Sequence, residues 1–529
     1  MMKRLLSLLL CLAMVLPAAG CALSAHPAGP LPEEESADPV ELEWYGNYSW
    51  YNTPWGGNAV SEAITAKTGV DITFISPGGS ETETLDALIA GNNLPDLVTL
   101  GWWETQLSTI ISQELVYPLN ELADEYDLYF WEVADEARLN WYTASDGNVY
   151  CYPNSSYSPG DYGGDVPIGS NQTFLVRKDI YEAIGSPDMT TPEGFMDAVR
   201  AAAEAFPTVD GLPLIPIGAH EFTERGCDSF DKFLMNFLAI PYEKDGKFYD
   251  RYTDPEYKRW LAAFRQLGEE GLLANDIFID KRVQMEEKIA QGRYFCMIYQ
   301  RTDIADIQRL RYSQDPDSVY IAVDGPKNAA GDPYTLPGSG INGWTVTMIS
   351  KNCQYPDKAI QLMSFMMSEE GQKLLSLGIE GEHYTMADGR AVLTPETERL
   401  LNEDNAAYVA QVGANDAYWM LQDNRMQSAW MPLNEPVIQQ MEEWTYPYTV
   451  YTGQYDVSFT PGSAADAADK TITALHGEML PRLLLANSEE EFEFLWDLYV
   501  YLRETNGLEL VLEESTAQMI EAKARLGLN

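Results

Sequence analysis

Leu88–Val98, LIAGNNLPDLV, is the stretch that decides the predicted fold. It joins the end of a helix, predicted over Thr82–Ala90 from apolar residues that recur on one face, to a short strand predicted over Leu97–Leu100. Gly91 stands where the helix should end, because glycine readily adopts the backbone conformation that closes many helices. A glycine-ended helix that leads directly into an apolar strand is typical of β–α–β architecture.

The residues before this stretch continue the same alternation. Val40–Tyr45 and Val70–Ile75 are predicted to be strands, and Asn58–Lys67, which lies between them, is predicted to be a helix. Strands that alternate with helices along the chain indicate parallel strand pairing in an α/β sheet.

Further along, the chain is predicted to be mainly helical. One helix starts at Thr191-Pro192 and runs to Phe206, and another starts near Pro356. The capping pattern Ser488-x-x-Glu491 opens a late helix that Gly507 ends. The predicted apolar face of this late helix consists of Phe494, Leu495, Leu498 and Leu502.

The charge of the chain is strongly negative. Its 529 residues include 34 Lys and Arg against 81 Asp and Glu, a formal net charge of −47, and 45% of the residues are hydrophobic. Such a surface repels nucleic acid and anionic membrane faces, so no nucleic-acid partner is expected. The length and the hydrophobic content predict a globular protein with two or more cores.

The first twenty-one residues predict export and lipid attachment. Lys3 and Arg4 precede an apolar run over Leu5–Leu16, and small residues then lead to Cys21, as in a secretory signal. Residues 1–20 are therefore predicted to be a signal peptide. The sequence Ala-Ala-Gly-Cys resembles the lipobox of bacterial lipoproteins, in which the cysteine carries the lipid, and an ordinary signal peptide is the alternative. The apolar run is shorter than the roughly 20 residues of a membrane span.

The segment after the signal peptide is predicted to be a spacer. Residues 21–39 are rich in proline, alanine and acidic residues, which predicts a lipid-anchored flexible tether at the extracellular face of the cell membrane. Four later cysteines lie far apart and form no C-x-x-C pair, so neither a zinc nor a redox motif is supported. We favour isolated cysteines in apolar cores, and disulfides stay open because export permits them. These four are Cys151, Cys227, Cys296 and Cys353.

Several ordered motifs resemble those of family 1 extracellular solute-binding proteins, the capture subunits of ABC importers. Leu88–Val98 resembles the family's helix, glycine and Leu-Pro-Asp signature. Gly378–Tyr384, GIEGEHY, is the most specific match and indicates the oligosaccharide-type subgroup, similar to alginate-oligosaccharide-binding proteins. The other matching segments follow in the family's order and are Val116–Leu122, Asn148–Pro153, Phe174–Asp179, Thr191–Phe195 and Gln291–Tyr294.

This resemblance implies an α/β, two-lobed, periplasmic-binding-protein-like fold with hinge crossings and a helical C-terminal part. It assigns residues 40–172 and 299–340 to lobe one, and residues 173–298 and 341–529, which include the C-terminal helices, to lobe two. The lobes are expected to close on a ligand held between them. The implied crossings lie near Thr173–Arg177, Met297–Arg301 and Ile341–Val346.

A calcium loop occurs in some members of the subgroup, after the helix that follows the Arg-Lys-Asp strand. Calcium needs about six to eight oxygen ligands. In this chain the equivalent stretch, residues 206–213, contains a single carboxylate, that of Asp210. We therefore predict no metal at that place.

A cleft that binds a sugar needs aromatic rings for the C–H faces and polar groups for the hydroxyls. Many aromatic residues follow the predicted strands or lie at the crossings. Trp102 and Trp103 are adjacent, so at most one of them should face the ligand. The predicted ligand-binding residues are Tyr48, Trp102, Trp103, Tyr157, Tyr299, Arg301, Trp344, Glu382, His383, Trp419 and Trp444.

A structural role is the alternative for several of these side chains. Burial is as good an interpretation for Trp344, because the residues after it continue a strand. Arg301 is interpreted as a salt-bridge partner or a clamp for hydroxyls, not a catalyst. Glu382 and His383 either line the cleft or pin the glycine-rich turn, and His220-Glu221 is interpreted as structural.

The ordered motifs favour a binding protein over an enzyme. The sequence contains no Gly-x-Ser-x-Gly, no His-Glu-x-x-His and no phosphate-binding Gly-x-x-x-x-Gly-Lys motif, and it has only four histidines. We expect no cofactor and no catalytic residues. The resemblance implies a monomeric lipoprotein that captures an oligosaccharide or related sugar and delivers it to the permease subunits of an ABC importer. A secreted glycoside hydrolase, which needs two carboxylates, and a lipid-anchored sugar sensor or adhesin are the alternatives.

Overall fold

The computed structural model describes residues 38–164 and 166–528. The predicted signal peptide and Cys21 lie outside these residues, as does nearly all of the predicted tether. The described chain is organised around two separate β-sheets, each covered by helices. We call the parts built on them lobe one and lobe two.

Lobe one is built on a five-stranded sheet. Its first strand pairs in parallel with the strands on both sides of it, with Val40 opposite Val70 and Trp44 opposite Leu97. The two remaining strands are antiparallel additions, the last of them very short. From one edge of the sheet to the other, the strands are Val70–Ile75, Val40–Gly46, Leu97–Gly101, Thr345–Ile349 and Tyr152–Pro153.

Helices pack on this sheet from two parts of the chain. Asn58 caps the first helix through its side chain, which accepts from the amide of Ser61, and Gly69 ends it at a left-handed backbone position. The helices of lobe one are Ala59–Thr68, Glu81–Ala90, Thr105–Ser112, Leu119–Tyr126, Phe130–Val133, Glu136–Tyr142, Pro356–Met367, Glu369–Leu377, Pro395–Glu403, Asn405–Gln411 and Asn424–Ser428. A hairpin of Tyr384–Ala387 and Arg390–Leu393 lies among the later ones.

Lobe two is built on a four-stranded mixed sheet. Its central strands are antiparallel, with Gln300 opposite Gln172, and the edge strand beside them is parallel, with Met297 opposite Gly218. In spatial order the strands are Tyr320–Ala322, Gln172–Arg177, Tyr294–Gln300 and Ile215–Gly218. The helices of lobe two are Lys178–Ala183, Pro192–Ala205, Lys232–Phe237, Pro255–Glu269, Arg282–Ala290, Ala305–Gln314, Pro436–Thr445, Ala464–Leu484, Glu489–Thr505 and Leu508–Leu526.

A buried polar network fixes the C-terminal helices to lobe two. His476 Nε2 lies 2.5 Å from Asp231 Oδ1, and His476 Nδ1 lies 2.7 Å from the hydroxyl of Tyr499. Arg503 in the same helix as Tyr499 forms a buried ion pair with Asp250 at 2.6 Å. Buried polar groups are tolerated when they are paired in this way, so this part of the chain is an integral layer of lobe two.

The predicted assignment of the returning segments to the lobes was wrong. Residues 299–340 were assigned to lobe one, but Tyr320–Ala322 pairs with Gln172–Arg177 in lobe two. Residues 341–529 were assigned wholly to lobe two, but Thr345–Ile349 pairs with Leu97–Gly101 in lobe one. The chain returns to lobe one after residue 340 and leaves it for good before Pro436–Thr445.

The predicted crossings shift accordingly. Thr173–Arg177 and Met297–Arg301 were expected to be crossings, but both lie at the sheet of lobe two and pair with one another. Ile341–Val346 does join the lobes. The first crossing instead lies between Tyr152–Pro153 and Gln172–Arg177.

The local predictions of secondary structure hold better than the lobe boundaries. The strands at 40–46, 70–75 and 97–101 and the helices after Asn58, Thr191 and Pro356 are confirmed. The late helix is also confirmed as Glu489–Thr505, but its buried face is rotated. Phe494 was predicted to be buried and is 66% exposed. The residues that pack inward are Phe492, Leu495, Trp496, Tyr499 and Arg503.

The four cysteines at 151, 227, 296 and 353 are all buried and unpaired, which confirms isolated core cysteines. The stretch in which no calcium loop was predicted folds as a tight hairpin of Thr208–Val209 and Leu212–Pro213. Asp210 and Gly211 form its turn with positive φ angles of 52° and 79°. Across the described ranges, no helix has both the length and the apolar character needed to cross a membrane.

Candidate functional site

The loops at one edge of the lobe-one sheet converge. The first strand is parallel to Leu97–Gly101, so the carboxyl ends of both strands lie at the same edge. Thr345 pairs with Gly101 in the antiparallel direction, which brings the start of Thr345–Ile349 to that edge as well. Residues 47–51, 102–104 and 342–344 therefore surround one end of the sheet.

Four aromatic rings meet at this edge, and we call them the aromatic platform: Tyr48, Trp50, Trp344 and Trp419. The Trp344 and Trp419 ring centroids lie 4.4 Å apart. Trp50 is nearly parallel to Trp344, with 7° between the planes and 6.2 Å between the centroids. Tyr48 contacts the other three at 5.4–5.5 Å. Stacked, tilted and edge-on contacts of this kind pack the four rings into one apolar cluster.

Access to the aromatic platform is uneven. Trp50 is 46% exposed, whereas Tyr48 and Trp419 are 8% and 4% exposed. Trp344 is intermediate in exposure. Trp50 therefore presents the platform to solvent, and the buried rings support it from beneath.

Two carboxylates hold the loop that carries Tyr48 and Trp50. Asn47 donates to Glu104 Oε2 at 2.5 Å, and the amide of Ser49 donates to Glu81 Oε1 at 2.8 Å. Alternate residues of the loop are thus fixed by carboxylates, while those between them enter the platform. Burial raises the pKa of Glu104 to about 7, against the lowering effect of hydrogen bonds from the Gly101 amide and Asn47.

The matching edge of the lobe-two sheet carries a second polar and aromatic surface, which we call the lobe-two face: His220, Arg282, Tyr299 and Asp303. The His220 ring stacks on Tyr299 with 4.0 Å between centroids and 14° between planes. Burial lowers the pKa of His220 to about 4, so its ring is neutral at pH 7.

The hydrogen bonds of His220 fix which ring nitrogen carries the proton. Ser229 Oγ donates to the carbonyl of Ile298 at 2.7 Å and lies 3.0 Å from His220 Nδ1. Because the Ser229 hydroxyl donates its proton to the Ile298 carbonyl, its oxygen must accept a hydrogen bond from His220 Nδ1. Nε2 then carries a lone pair and acts as an acceptor.

Arg282 links the two surfaces. Its guanidinium lies 6.0 Å from the Trp50 ring centroid, within the range of a cation–π contact between the lobes. The same group is 2.6 Å from Glu286 and 3.5 Å from Asp303. The lobe-two face and the aromatic platform therefore bound one cleft.

Three enclosed polar atoms of this cleft have no hydrogen-bond partner among the described residues: Tyr48 Oη, Trp419 Nε1 and His220 Nε2. A buried polar group left unpaired costs about 1–3 kcal/mol. One atom is a donor, one is an acceptor and the tyrosine hydroxyl is both. Hydroxyl-rich molecules satisfy such a set, because each hydroxyl both donates and accepts.

The chain matches a family model described as bacterial extracellular solute-binding protein over residues 59–380. The chain belongs to this family. The predicted family resemblance is thereby confirmed, and the matched residues include Leu88–Val98 and the first three residues of Gly378–Tyr384.

Individual relatives of this solute-binding protein support the same assignment. It is 21% identical over 415 residues to the polygalacturonan/rhamnogalacturonan-binding protein YtcQ of Bacillus subtilis (strain 168), covering 75% of this chain and 77% of YtcQ. The fold is similar to that of the alginate-binding protein AlgQ2 (TM-score 0.67, 17% identity, 92% and 98% of the two chains). It is also similar to the S. pneumoniae ABC-transporter substrate-binding protein FusA, solved with kestose (TM-score 0.70, 15% identity, 92% and 99%). The two-lobed α/β fold is confirmed.

The structure of this solute-binding protein brings some of the predicted ligand-binding residues together. Tyr48, Trp344 and Trp419 meet in the aromatic platform, and Tyr299 lies in the lobe-two face beneath His220. Arg301 lies near the same sheet edge, where it donates to the carbonyl of Ser170 and pairs with Glu442 at 3.5 Å. This arrangement matches the salt-bridge interpretation of Arg301.

Other predicted residues lie elsewhere. Trp102 and Trp103 are perpendicular, and the 42%-exposed Trp103 ring lies against Gly101, where an added Cβ would come within 2.7 Å of it. Tyr157 lies in the first crossing, where its amide donates to the carbonyl of Gly340. Trp444 packs in a separate aromatic cluster of lobe two.

Of the pair Glu382 and His383, the histidine has a structural role in this solute-binding protein. His383 Nδ1 accepts from the amide of Ile379 at 3.0 Å, and its ring lies against Gly378. Gly378 has a φ of 85°, a conformation that favours glycine. The side chain of His383 thus pins the turn, while Glu382 is exposed to solvent.

Sequence reasoning missed four residues of the cleft: Trp50, Glu104, His220 and Arg282. Trp50 stands in an aromatic run after the first strand, which was a usable signal. Glu104 and Arg282 are ordinary charged residues in their local sequence, and His220 was interpreted as structural. Only the three-dimensional arrangement identifies these three.

Proposed function

We propose that this protein captures an oligosaccharide between its two lobes and delivers it to the permease of an ABC importer. The observation that carries the proposal is the aromatic platform, because Trp50 presents a ring to the cleft opposite Arg282 of the other lobe. Aromatic rings bind the C–H faces of sugars, and the unpartnered polar atoms suit their hydroxyls. The polysaccharides in the names of YtcQ and AlgQ2, and the kestose in the FusA complex, support a sugar as the ligand.

The proposed mechanism is closure of the lobes around the ligand without any bond being made or broken. The chain passes between the lobes at three places, and such linkers absorb the backbone changes of a hinge motion. Ligand between the platform and the lobe-two face adds contacts to both lobes at once. Binding then favours the closed arrangement by its greater affinity for that state.

The proposed location is the extracellular face of the cell membrane. A lipid on Cys21 would hold the protein there, and residues 22–39 would let a monomer reach the permease. Replacing Cys21 by Ser is expected to release the protein from the membrane without changing ligand binding in solution. Cell fractionation together with calorimetry of the released protein tests both parts.

The direct test is a ligand screen on the Cys21→Ser protein. We expect the melting temperature to rise saturably with at least one oligosaccharide in a panel of neutral and acidic sugars, as ligand binding to the native state requires. Trp344→Ala should weaken that effect, while Trp131→Ala, which alters an exposed tryptophan of lobe one, should not. A panel without any saturable shift would contradict the proposal.

The same preparation tests the hydrolase alternative. Glu104 is the candidate catalytic carboxylate of this alternative, since its raised pKa would suit a general acid. We expect no new reducing ends after hours of incubation with any panel sugar. Release of reducing ends that Glu104→Gln abolishes would establish an enzyme instead.

A further inference from the structure

We propose that this cleft selects uncharged oligosaccharides and rejects oligomers of uronic acids. The inference rests on the proposed function and specifies its substrate class. It follows from which hydrogen-bonding groups the two walls of the cleft offer and from how their charges are already paired.

The lobe-one wall is acidic. Glu81 and Glu104 hold the loop of Tyr48 and Trp50 through residues 49 and 47. Both carboxylates act electrostatically on Tyr48, whose pKa is raised by burial and then by these two charges. A carboxylate on a sugar that stacks on the aromatic platform would approach charges of its own sign.

Within the described part of lobe two, Arg282 and Arg301 at this sheet edge are both already paired with carboxylates. Arg282 is the cation that faces the platform, and it is already shared between Glu286 and Asp303. Its backbone amide donates to a third carboxylate, Glu221, at 3.1 Å. His220 is neutral at pH 7, because burial lowers its pKa more than the charge of Asp228 raises it.

Hydrogen-bonding capacity leads to the same class. An ionised carboxylate only accepts hydrogen bonds, and so do His220 Nε2 and the ionised carboxylates of Glu81 and Asp303. A uronate would therefore place acceptor against acceptor after losing its own hydration. A sugar hydroxyl donates to these groups and still accepts from Trp419 Nε1.

The charge of the whole chain acts in the same direction. At a formal net charge of −47, the protein repels polyanions during their approach. This preference differs from the acidic polysaccharides in the names of YtcQ and AlgQ2, which share 21% and 17% identity with this chain. Charge class is set by a few side chains, which such identity leaves free to differ.

The decisive experiment compares two probes with one carbon skeleton. Trigalacturonate and its fully methyl-esterified form are titrated calorimetrically into the Cys21→Ser protein, beside neutral trisaccharides with different linkages. We expect one or more uncharged probes to bind and trigalacturonate to bind at least 10-fold more weakly than its ester. Trigalacturonate binding as tightly as its ester, or more tightly, would overturn the inference and leave the proposed sugar capture intact.

Two further arms separate charge repulsion from shape. The double variant Glu81→Gln, Glu104→Gln keeps side-chain size. We expect it to reduce the ratio of the affinities for the ester and for trigalacturonate several-fold. Added salt should reduce this affinity ratio as well, because the screening length of charges falls to about 3 Å at 1 M salt. Discrimination that neither arm changes would contradict an electrostatic origin. Failure of every sugar probe would overturn the proposed function together with this inference.

Discussion

Each lobe contains a cluster of four aromatic rings, and the two clusters differ in how their polar atoms are paired. In lobe two, Phe237, Tyr334, Trp444 and Tyr448 contact one another at 4.9–6.0 Å. The Tyr334 hydroxyl donates to the Gly325 carbonyl at 3.1 Å and accepts from its amide, and Trp444 Nε1 donates to Asp324. In the aromatic platform, Tyr48 Oη and Trp419 Nε1 have no such partner among the described residues.

This difference distinguishes the two clusters, although both contain tyrosine and tryptophan rings. Polar atoms of a folding core find their partners within the protein. A surface that binds a ligand leaves some polar atoms unpaired within the protein, and these atoms pair with the ligand. The aromatic platform should therefore contribute to affinity more than to stability, and the cluster around Tyr334 should do the reverse.

The largest expected effect is on stability, in the lobe-two cluster. Tyr334→Ala removes a ring that is 2% exposed and leaves both backbone groups of Gly325 unpaired. We expect the free energy of unfolding to fall by about 3–5 kcal/mol in urea denaturation. The ligand affinity of the folded fraction should stay the same. A large loss of affinity with normal stability would reverse the roles of the two clusters.

The next effect is on affinity, in the aromatic platform. Trp50→Ala removes the ring that presents the platform to the cleft, and we expect an affinity loss of about 10- to 100-fold for the best sugar of the panel. The free energy of unfolding should change by less than about 1 kcal/mol, because Trp50 is half exposed. Trp131→Ala, which removes a tryptophan of similar exposure, is the matched control in calorimetry.

A smaller effect comes from removing single hydroxyls, which gives the sharpest comparison. Tyr334→Phe unpairs Gly325 and should cost about 1–2 kcal/mol of stability. Tyr48→Phe removes a hydroxyl without a protein partner, so stability should be unchanged or slightly higher. Ligand affinity should nevertheless fall about 2- to 10-fold in Tyr48→Phe. Equal destabilisation by both variants would show that the Tyr48 hydroxyl also has a hydrogen-bond partner within the protein, which would contradict the comparison.

The smallest effect concerns pH. The pKa of Glu104 is about 7 in the folded protein, above its ordinary value of 4.5. Between these two values the folded state therefore binds more protons at this group than the unfolded state does. This group favours folding most at low pH, and the contribution is lost as the pH rises through 7. Between pH 5 and 8, the melting temperature of wild type relative to Glu104→Gln should fall by a few degrees. The difference from the variant is needed because Asp456 also has a pKa of about 7.

Local patterns were sufficient for the elements of the fold but not for their assembly. The alternation around Leu88–Val98 predicted three strands and two helices correctly, because periodicity and caps act within a few residues. Thr345–Ile349 is buried along its whole length, so nothing in its sequence indicates which sheet it joins. That choice depends on contacts with Leu97–Gly101, about 250 residues away in the chain.

The candidate site was predictable only where its residues are unusual by type. Tryptophans are rare and conspicuous, so Trp344 and Trp419 were named although their rings meet across 75 residues of chain. Arg282 begins a helix rich in charged residues and resembles many others on the surface. Its importance comes from its position opposite Trp50, which is a property of the folded lobes alone.

The buried cysteines have a practical consequence for measuring motion. Burial raises the pKa of the Cys151 and Cys296 thiols, so neither group reacts readily with thiol-directed dyes. In the Cys21→Ser protein, cysteines introduced at the exposed positions Leu128 and Phe494 would then be labelled selectively, one in each lobe. Energy transfer between the two dyes would report the distance between the lobes in single molecules, with all four native core cysteines left in place.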